Sequence, residues 1–242
     1  MKVLLISHYF PPEIGAPQAR LSEMAKVWAK DGNEVEVLTG LPNHPTGVVP
    51  PEYRGRRFIF EEKDGYKVFR TWLYATANEG IVKKTLGHLS FMITSLLIGG
   101  RRISKPDVIV VSSPTFFSIF SAWLIARVFR RPFVIEVRDL WPGIFVELGI
   151  LRNKPLIKIL ARFELTAYAA ADLVVVVTEG FKDDLLSRGV SPEKVEVITN
   201  GVDLEHFAPG APDMVLRQQL GADPTQSLVV YIGAHGISQA LA

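Results

Sequence analysis

The sequence contains no cysteine in its 242 residues, which excludes disulfides, thiolate metal sites and a cysteine nucleophile and suits a reducing compartment. It contains neither a Gly-x-Gly-x-x-Gly segment nor a Gly-x-x-x-x-Gly-Lys-Ser/Thr loop, so the usual cradles for dinucleotides and nucleoside triphosphates are missing. Excess charge is also missing. Lys and Arg number 27 against 25 Asp and Glu, a net of +2. The basic residues are scattered without interleaved aromatics, which leaves nucleic-acid binding unsupported. Residues 2–6 read as a strand in place of a charged and apolar leader, so no secretory signal is expected.

What is present is a globular chain, 48% hydrophobic and 21% charged, long enough for one domain with a remnant of a second. Its opening organises the rest. Val3-Leu4-Leu5-Ile6 reads as a strand buried on both faces, the signature of a central parallel strand. The loop after it combines Pro11, Pro12, Gly15 and Ala16, and Pro17 suits the first turn of a helix. Such a connection puts free backbone N–H groups at the carboxyl edge of the sheet, where anions bind. A tight strand-to-helix turn without a ligand is the alternative.

The spacing predicts a helix over 18–30, a strand over 35–39, and a hairpin of 58–62 with 66–72 about Asp64-Gly65. Between the strand and the hairpin lies a long proline-rich loop with Asn43 and His44, and loops of that length in a compact domain are usually functional or disordered. Trp72 and Tyr74 read as packing residues, with a stacking platform as the alternative. The uncharged stretch 85–100, flanked by Lys83, Lys84, Arg101, Arg102 and Lys105, is shorter than the roughly 20 apolar residues of a membrane span. It reads as a packed crossover helix with the option of lying on an anionic membrane surface. Strands follow at 108–111, 133–137, 172–177 and 195–198, separated by helices over 115–129, 155–171 and from Thr178, a candidate N-cap. This alternation with fully apolar strands gives an α/β fold with a doubly wound parallel sheet. Arg138-Asp139 stands at the carboxyl end of one strand and Asn200-Gly201 just past another, where such sheets place their sites. A structural ion pair and a simple turn are the plainer accounts of the two. The segment 208–212 has linker composition, and 228–233 reads as the first strand of a second sheet, so a truncation is expected.

These segments stand in an order that resembles glycosyltransferase family 4. They are Phe10-Pro11-Pro12 with Gly15-Ala16, Val175-Val176-Val177-Thr178-Glu179-Gly180-Phe181, Val197-Ile198-Thr199-Asn200-Gly201-Val202-Asp203 with Phe207-Ala208-Pro209, and Val230-Tyr231-Ile232-Gly233. Together with Pro42-Asn43-His44-Pro45-Thr46-Gly47 and Val137-Arg138-Asp139-Leu140-Trp141-Pro142, they are similar to the branch acting in bacterial surface-polysaccharide assembly, which includes colanic-acid and fucosamine transferases. The resemblance implies a Rossmann-like amino-terminal GT-B domain over 1–207, a linker over 208–226, and over 227–242 the start of a nucleotide-sugar domain. It also implies retaining transfer without a metal or other cofactor. The partners it implies are a UDP- or GDP-sugar donor and a glycan or polyprenyl-diphosphate-linked acceptor. The location it implies is cytoplasmic, with peripheral membrane contact through 83–105. The expected catalytic residues are Asp139 and Arg138, and the expected substrate contacts are Gly15, Ala16, Arg20, Asn43, His44, Asn200 and Gly201. Ala16 departs from the family's second glycine, Arg138 from its histidine, and Ala234 and Gln239 from its diphosphate-binding Arg and Lys. The family's paired glutamates are absent, so no activity is expected of these residues alone. A non-catalytic lipid- or glycan-binding half-domain that pairs with a separate nucleotide-binding chain is a second class. A nicotinamide oxidoreductase is a third, disfavoured by the missing glycine fingerprint.

Overall fold

A computed structural model describes residues 1–77, 80–113, 116–204, 207–223 and 225–233. The chain runs β1 (Lys2–Ile6), α1 (Ala16–Lys30), β2 (Glu34–Gly40), β3 (Phe58–Lys63), β4 (Tyr66–Thr71), α2 (Ile81–Thr94), β5 (Val108–Ser112) and α3 (Phe116–Phe129). It continues through β6 (Phe133–Val137), α4 (Gly143–Glu147), α5 (Lys154–Ala170), β7 (Leu173–Val176), α6 (Glu179–Ser187), β8 (Val195–Val197) and α7 (Met214–Gln219). The eight strands form one sheet in the order β3-β4-β2-β1-β5-β6-β7-β8. All neighbours are parallel except the β3–β4 hairpin. Its turn places Asp64 and Gly65 both at positive φ, the geometry that this dipeptide favours.

Central β1 pairs on both sides, Leu5 opposite Val37 and Val110. Leu4, Leu5 and Ile6 are fully buried, each worth about 1.5–3 kcal/mol of transfer free energy. The two faces are covered unequally. On one, α1 alone among the described helices packs, with Leu21 and Ala25 against Leu5, Val35, Val37 and Val68. On the other, α3, α5 and α6 bury Ile119, Ala122, Tyr168 and Leu185 against Ile6, Val111, Ile135 and Val174, and α2 lies beside α3. Right-handed crossovers explain the asymmetry. The α1 crossover steps to one side of β1, and the later ones step to the other side and land on the opposite face. Val110, Val134 and Val175 are therefore only partly buried on the α1 face.

Helix α2 continues into a π-helical turn, Ser95–Gly99. A Cβ on Gly99 would lie 2.4 Å from Leu38 Cδ1, so a larger residue where the helix end meets the sheet would have to displace the buried Leu38 side chain. Thr178 caps α6 as expected, its hydroxyl accepting the Phe181 N–H at 3.2 Å. Helix α4 was not anticipated. Residues 228–233, read as an opening strand, form none. Ala234 and Gln239 lie outside the described residues. Among the described residues no helix is long and apolar enough to cross a membrane.

Candidate functional site

The expected site residues line the carboxyl edge of the parallel strands. Gly15 is the N-cap of α1 and Pro17 lies in its first turn, with no side chain capping the free N–H groups. The positive end of the helix dipole is thus open at this edge. Ala16 is exposed.

One turn further along α1, Arg20 reaches across β5 to Glu136 of β6. Its two terminal nitrogens grip the two carboxylate oxygens, Nη2 to Oε2 at 2.8 Å, and Nη2 also donates to Ser112 Oγ at 3.0 Å. The two side chains are 18% and 10% exposed. This pair ties the start of α1 to the end of β6, which carries Arg138 and Asp139. Arg138 donates to Asn200 Oδ1 beyond β8, and its backbone N–H donates to Ser113 Oγ at 3.3 Å. Arg20, Glu136, Arg138, Asn200 and Gly201 border a cavity of about 330 Å³ on the sparsely covered face of the sheet. Burial, with Arg20 nearby, lowers the affinity of Arg138 for its proton, and Glu136 and Asp139 oppose this. Burial raises the Asp139 carboxyl above its ordinary value, opposed by Arg138.

Asn43 and His44 lie elsewhere, in a second cavity of about 310 Å³ that they share with His8, Tyr9, Lys84 and His88. Glu13 ties the loop carrying Asn43 and His44 to the loop after β1. Its Oε1 accepts the N–H groups of Asn43 and His44 at 2.7 and 2.8 Å, and its Oε2 that of Phe10 at 3.0 Å. Burial raises the Glu13 carboxyl, and the three N–H groups oppose the rise. His8 and His88 face each other with ring centroids 4.2 Å apart. Burial, with His88 nearby, holds His8 well below the ordinary imidazole range. Burial, with Lys84 nearby, lowers His88 as well. Tyr9 is pushed up to about 12 by burial and by Glu13.

The structure therefore gathers Arg20, Arg138, Asn200 and Gly201 around one cavity, with Asp139 adjoining in sequence, and Asn43 and His44 around another. The sequence reading missed Glu136, Glu13, His8 and His88. Glu136 was detectable as the one charge inside Phe133-Val134-Ile135-Glu136-Val137, since an ionised side chain in a buried strand requires a partner. Nothing local marks the histidine pair. Among the described residues no group of His, Cys, Asp or Glu is arranged to hold a metal.

Comparisons with known proteins give the setting. Residues 15–201 match the family described as glycosyl transferase 4-like domain. A protein of Escherichia coli (strain K12) named as a colanic acid biosynthesis glycosyl transferase is 26% identical over 247 residues, covering 100% of this chain and 60% of that protein. A D-inositol 3-phosphate glycosyltransferase of Kineococcus radiotolerans is 26% identical over 227 residues, 91% of this chain and 48% of that protein. Among solved structures, Anabaena HepE in complex with UDP-glucose superposes with a TM-score of 0.53 at 17% identity, over 91% of this chain and 50% of the other. The catalytic domain of Arabidopsis thaliana starch synthase IV, bound to ADP and acarbose, gives 0.55 at 16% identity over 93% and 60%. The chain thus spans 60% or less of the length of these four proteins. The sheet, the edge geometry and the family match over 15–201 agree, and the chain belongs to the glycosyl transferase 4-like domain family.

Proposed function

We propose that this is the acceptor-side domain of a retaining glycosyltransferase that moves a sugar from a UDP- or GDP-sugar to a glycan or polyprenyl-diphosphate-linked acceptor in surface-polysaccharide assembly. The observation that carries the proposal is the pairing, at the end of β6, of a carboxyl made more basic by burial with a guanidinium whose hydrogen-bond partner, Asn200, is neutral. Arg138 keeps its charge for a diphosphate, whose oxygens its planar donors match. The N–H groups at Gly15 add a second positive pole for the departing group. Asp139 orients the acceptor hydroxyl and takes its proton; a raised pKa is the direction a general base requires. Asn43 and His44 contact the acceptor in the second cavity, and the nucleotide rests mainly on a partner domain. Residues 83–105 bring the domain to an anionic membrane surface.

The test is a panel of UDP- and GDP-sugars offered to the full-length protein with transfer and hydrolysis read together. Turnover of at least one donor, cut by about 10²-fold or more in Asp139→Asn as removal of a general base predicts, is the expected result. Turnover unchanged in Asp139→Asn removes Asp139 from the mechanism. Absence of turnover with every donor overturns the proposed activity.

A further inference from the structure

The loop between β1 and α1 is pinned along most of its length. Phe10 is buried and packs edge-on against Tyr66, with ring centroids 5.9 Å apart. The Pro11 carbonyl accepts from Nη2 of Arg70, which is itself buried on β4 and bonded through Nε to Glu61 at 2.8 Å. Glu13 is 7% exposed, and both of its carboxylate oxygens accept hydrogen bonds. Beyond it the chain comes free. Ile14 is 85% exposed, and Gly15 follows as the N-cap of α1.

The second loop is braced internally and held from outside by that carboxylate. The Gly47 N–H donates to the Asn43 carbonyl at 2.6 Å, and Asn43 Nδ2 donates to the Leu41 carbonyl at 3.0 Å. The adjacent N–H groups of Asn43 and His44 converge on the single atom Glu13 Oε1. One side chain thus lies between the backbone proposed to meet the acceptor and a helix start proposed to face a diphosphate, although Glu13 and Asn43 are thirty positions apart.

The choice of a carboxylate for this contact is informative. Loop N–H groups near a surface can be met by water, whereas a carboxylate loses its hydration when it is buried. Three N–H groups, and more weakly the His44 ring, offset that loss. A group so placed adds little net stability, but its two oxygens accept in set directions and fix the geometry of what they hold. Placement matters here, since a 1 Å displacement between reacting groups costs on the order of 10²-fold in rate.

We propose that Glu13 is a positioning residue, whose carboxylate keeps the backbone of Asn43 and His44 in register with the start of α1. A diphosphate that settles the start of α1 then settles 41–47 with it. This role rests on the proposed placing of diphosphate and acceptor, and adds the residue that joins the two segments.

Backbone hydrogen exchange of the full-length protein, with UDP and then GDP as probes, tests it. In the parent, Asn43 and His44 should exchange slowly, and nucleotide should slow exchange over 15–20 and over 41–47 together. Glu13→Gln keeps the shape of the side chain but leaves one acceptor oxygen in place of two. Glu13→Asp keeps the charge and is one methylene shorter, so it cannot span both loops; it carries the comparison should Glu13→Gln not fold. Each should speed exchange at Asn43 and His44 by about tenfold or more, as loss of a hydrogen bond to a charged group predicts. Each should also confine the effect of nucleotide to 15–20. A merely structural carboxylate would raise exchange throughout the domain and leave the nucleotide effect on both segments, and that result overturns the role. Full rescue by Glu13→Asp overturns it too, because the charge alone would then suffice. If neither nucleotide alters exchange anywhere, the proposed donor fails and the first comparison decides: unchanged exchange at Asn43 and His44 in the variants overturns the positioning role, and the tenfold rise upholds it.

Discussion

Removing Arg20 while Glu136 remains would leave a carboxylate, 10% exposed, between α1 and β6 without its counter-charge. Stranding a buried ion in this way costs about 3–5 kcal/mol. Arg20→Met should therefore lower the unfolding free energy by that order in urea titrations, and adding Glu136→Gln should recover most of it. Asp139 gives the opposite sign. Burial raises its carboxyl above the ordinary 3.8, so folding prefers the neutral form, and the penalty appears as pH rises from 3.8 through the higher folded value. Asp139→Asn should then be at least as stable as the parent at neutral pH, and thermal unfolding should show the gap closing as pH falls below 3.8. A gain in stability together with a loss of turnover is what a residue kept for chemistry predicts. Arg138 and Asp139 were legible in the sequence because they sit directly past an apolar strand. The Arg20–Glu136 pair was not, because its partners are 116 positions apart and only the sheet order brings β1's helix over β6.

Between elements, burial where the end of β1 meets α2 holds the imidazoles of His8 and His88 below their ordinary 6.5, with His88 adding to the effect on His8 and Lys84 to that on His88. Depressed pKa values contribute stability that is present above 6.5 and lost as pH falls toward the folded values. Thermal unfolding should show that decline, and His88→Gln should flatten part of it. Gly47 fixes the long loop to the chain after β4: its φ is +72°, and a Cβ would lie 1.9 Å from the Thr76 carbonyl oxygen. Left-handed backbone alone costs an ordinary residue about 1–2 kcal/mol. Gly47→Ala should therefore lower the unfolding temperature by some 2–4 °C for each kcal/mol in a domain of this size, and it should displace Asn43 and His44 from their cavity. The hairpin at Asp64-Gly65 and the cap at Thr178 could be read locally, because turn and cap chemistry is set within four residues. The loop's course could not be read, because Glu13 holds it from thirty residues upstream.

At the scale of the whole molecule, the alternation of apolar strands and amphipathic helices was sufficient to give a parallel sheet, and the antiparallel β3 at its edge followed from the hairpin signal. The distribution of helices between the faces was not legible, since periodicity shows that a helix has an apolar side and not which face of the sheet receives it. That distribution carries a physical consequence. On the helix-rich face α2, α3 and α5 hold six Lys and Arg against the single buried Glu164, while α6 on the same face carries Glu179, Asp183 and Asp184, so the molecule carries its positive charge off-centre. Near a negatively charged plane it experiences a torque before any contact, over distances of roughly 10 Å at 0.1 M salt. It therefore arrives with its orientation already selected, and added salt should slow capture as well as weaken it.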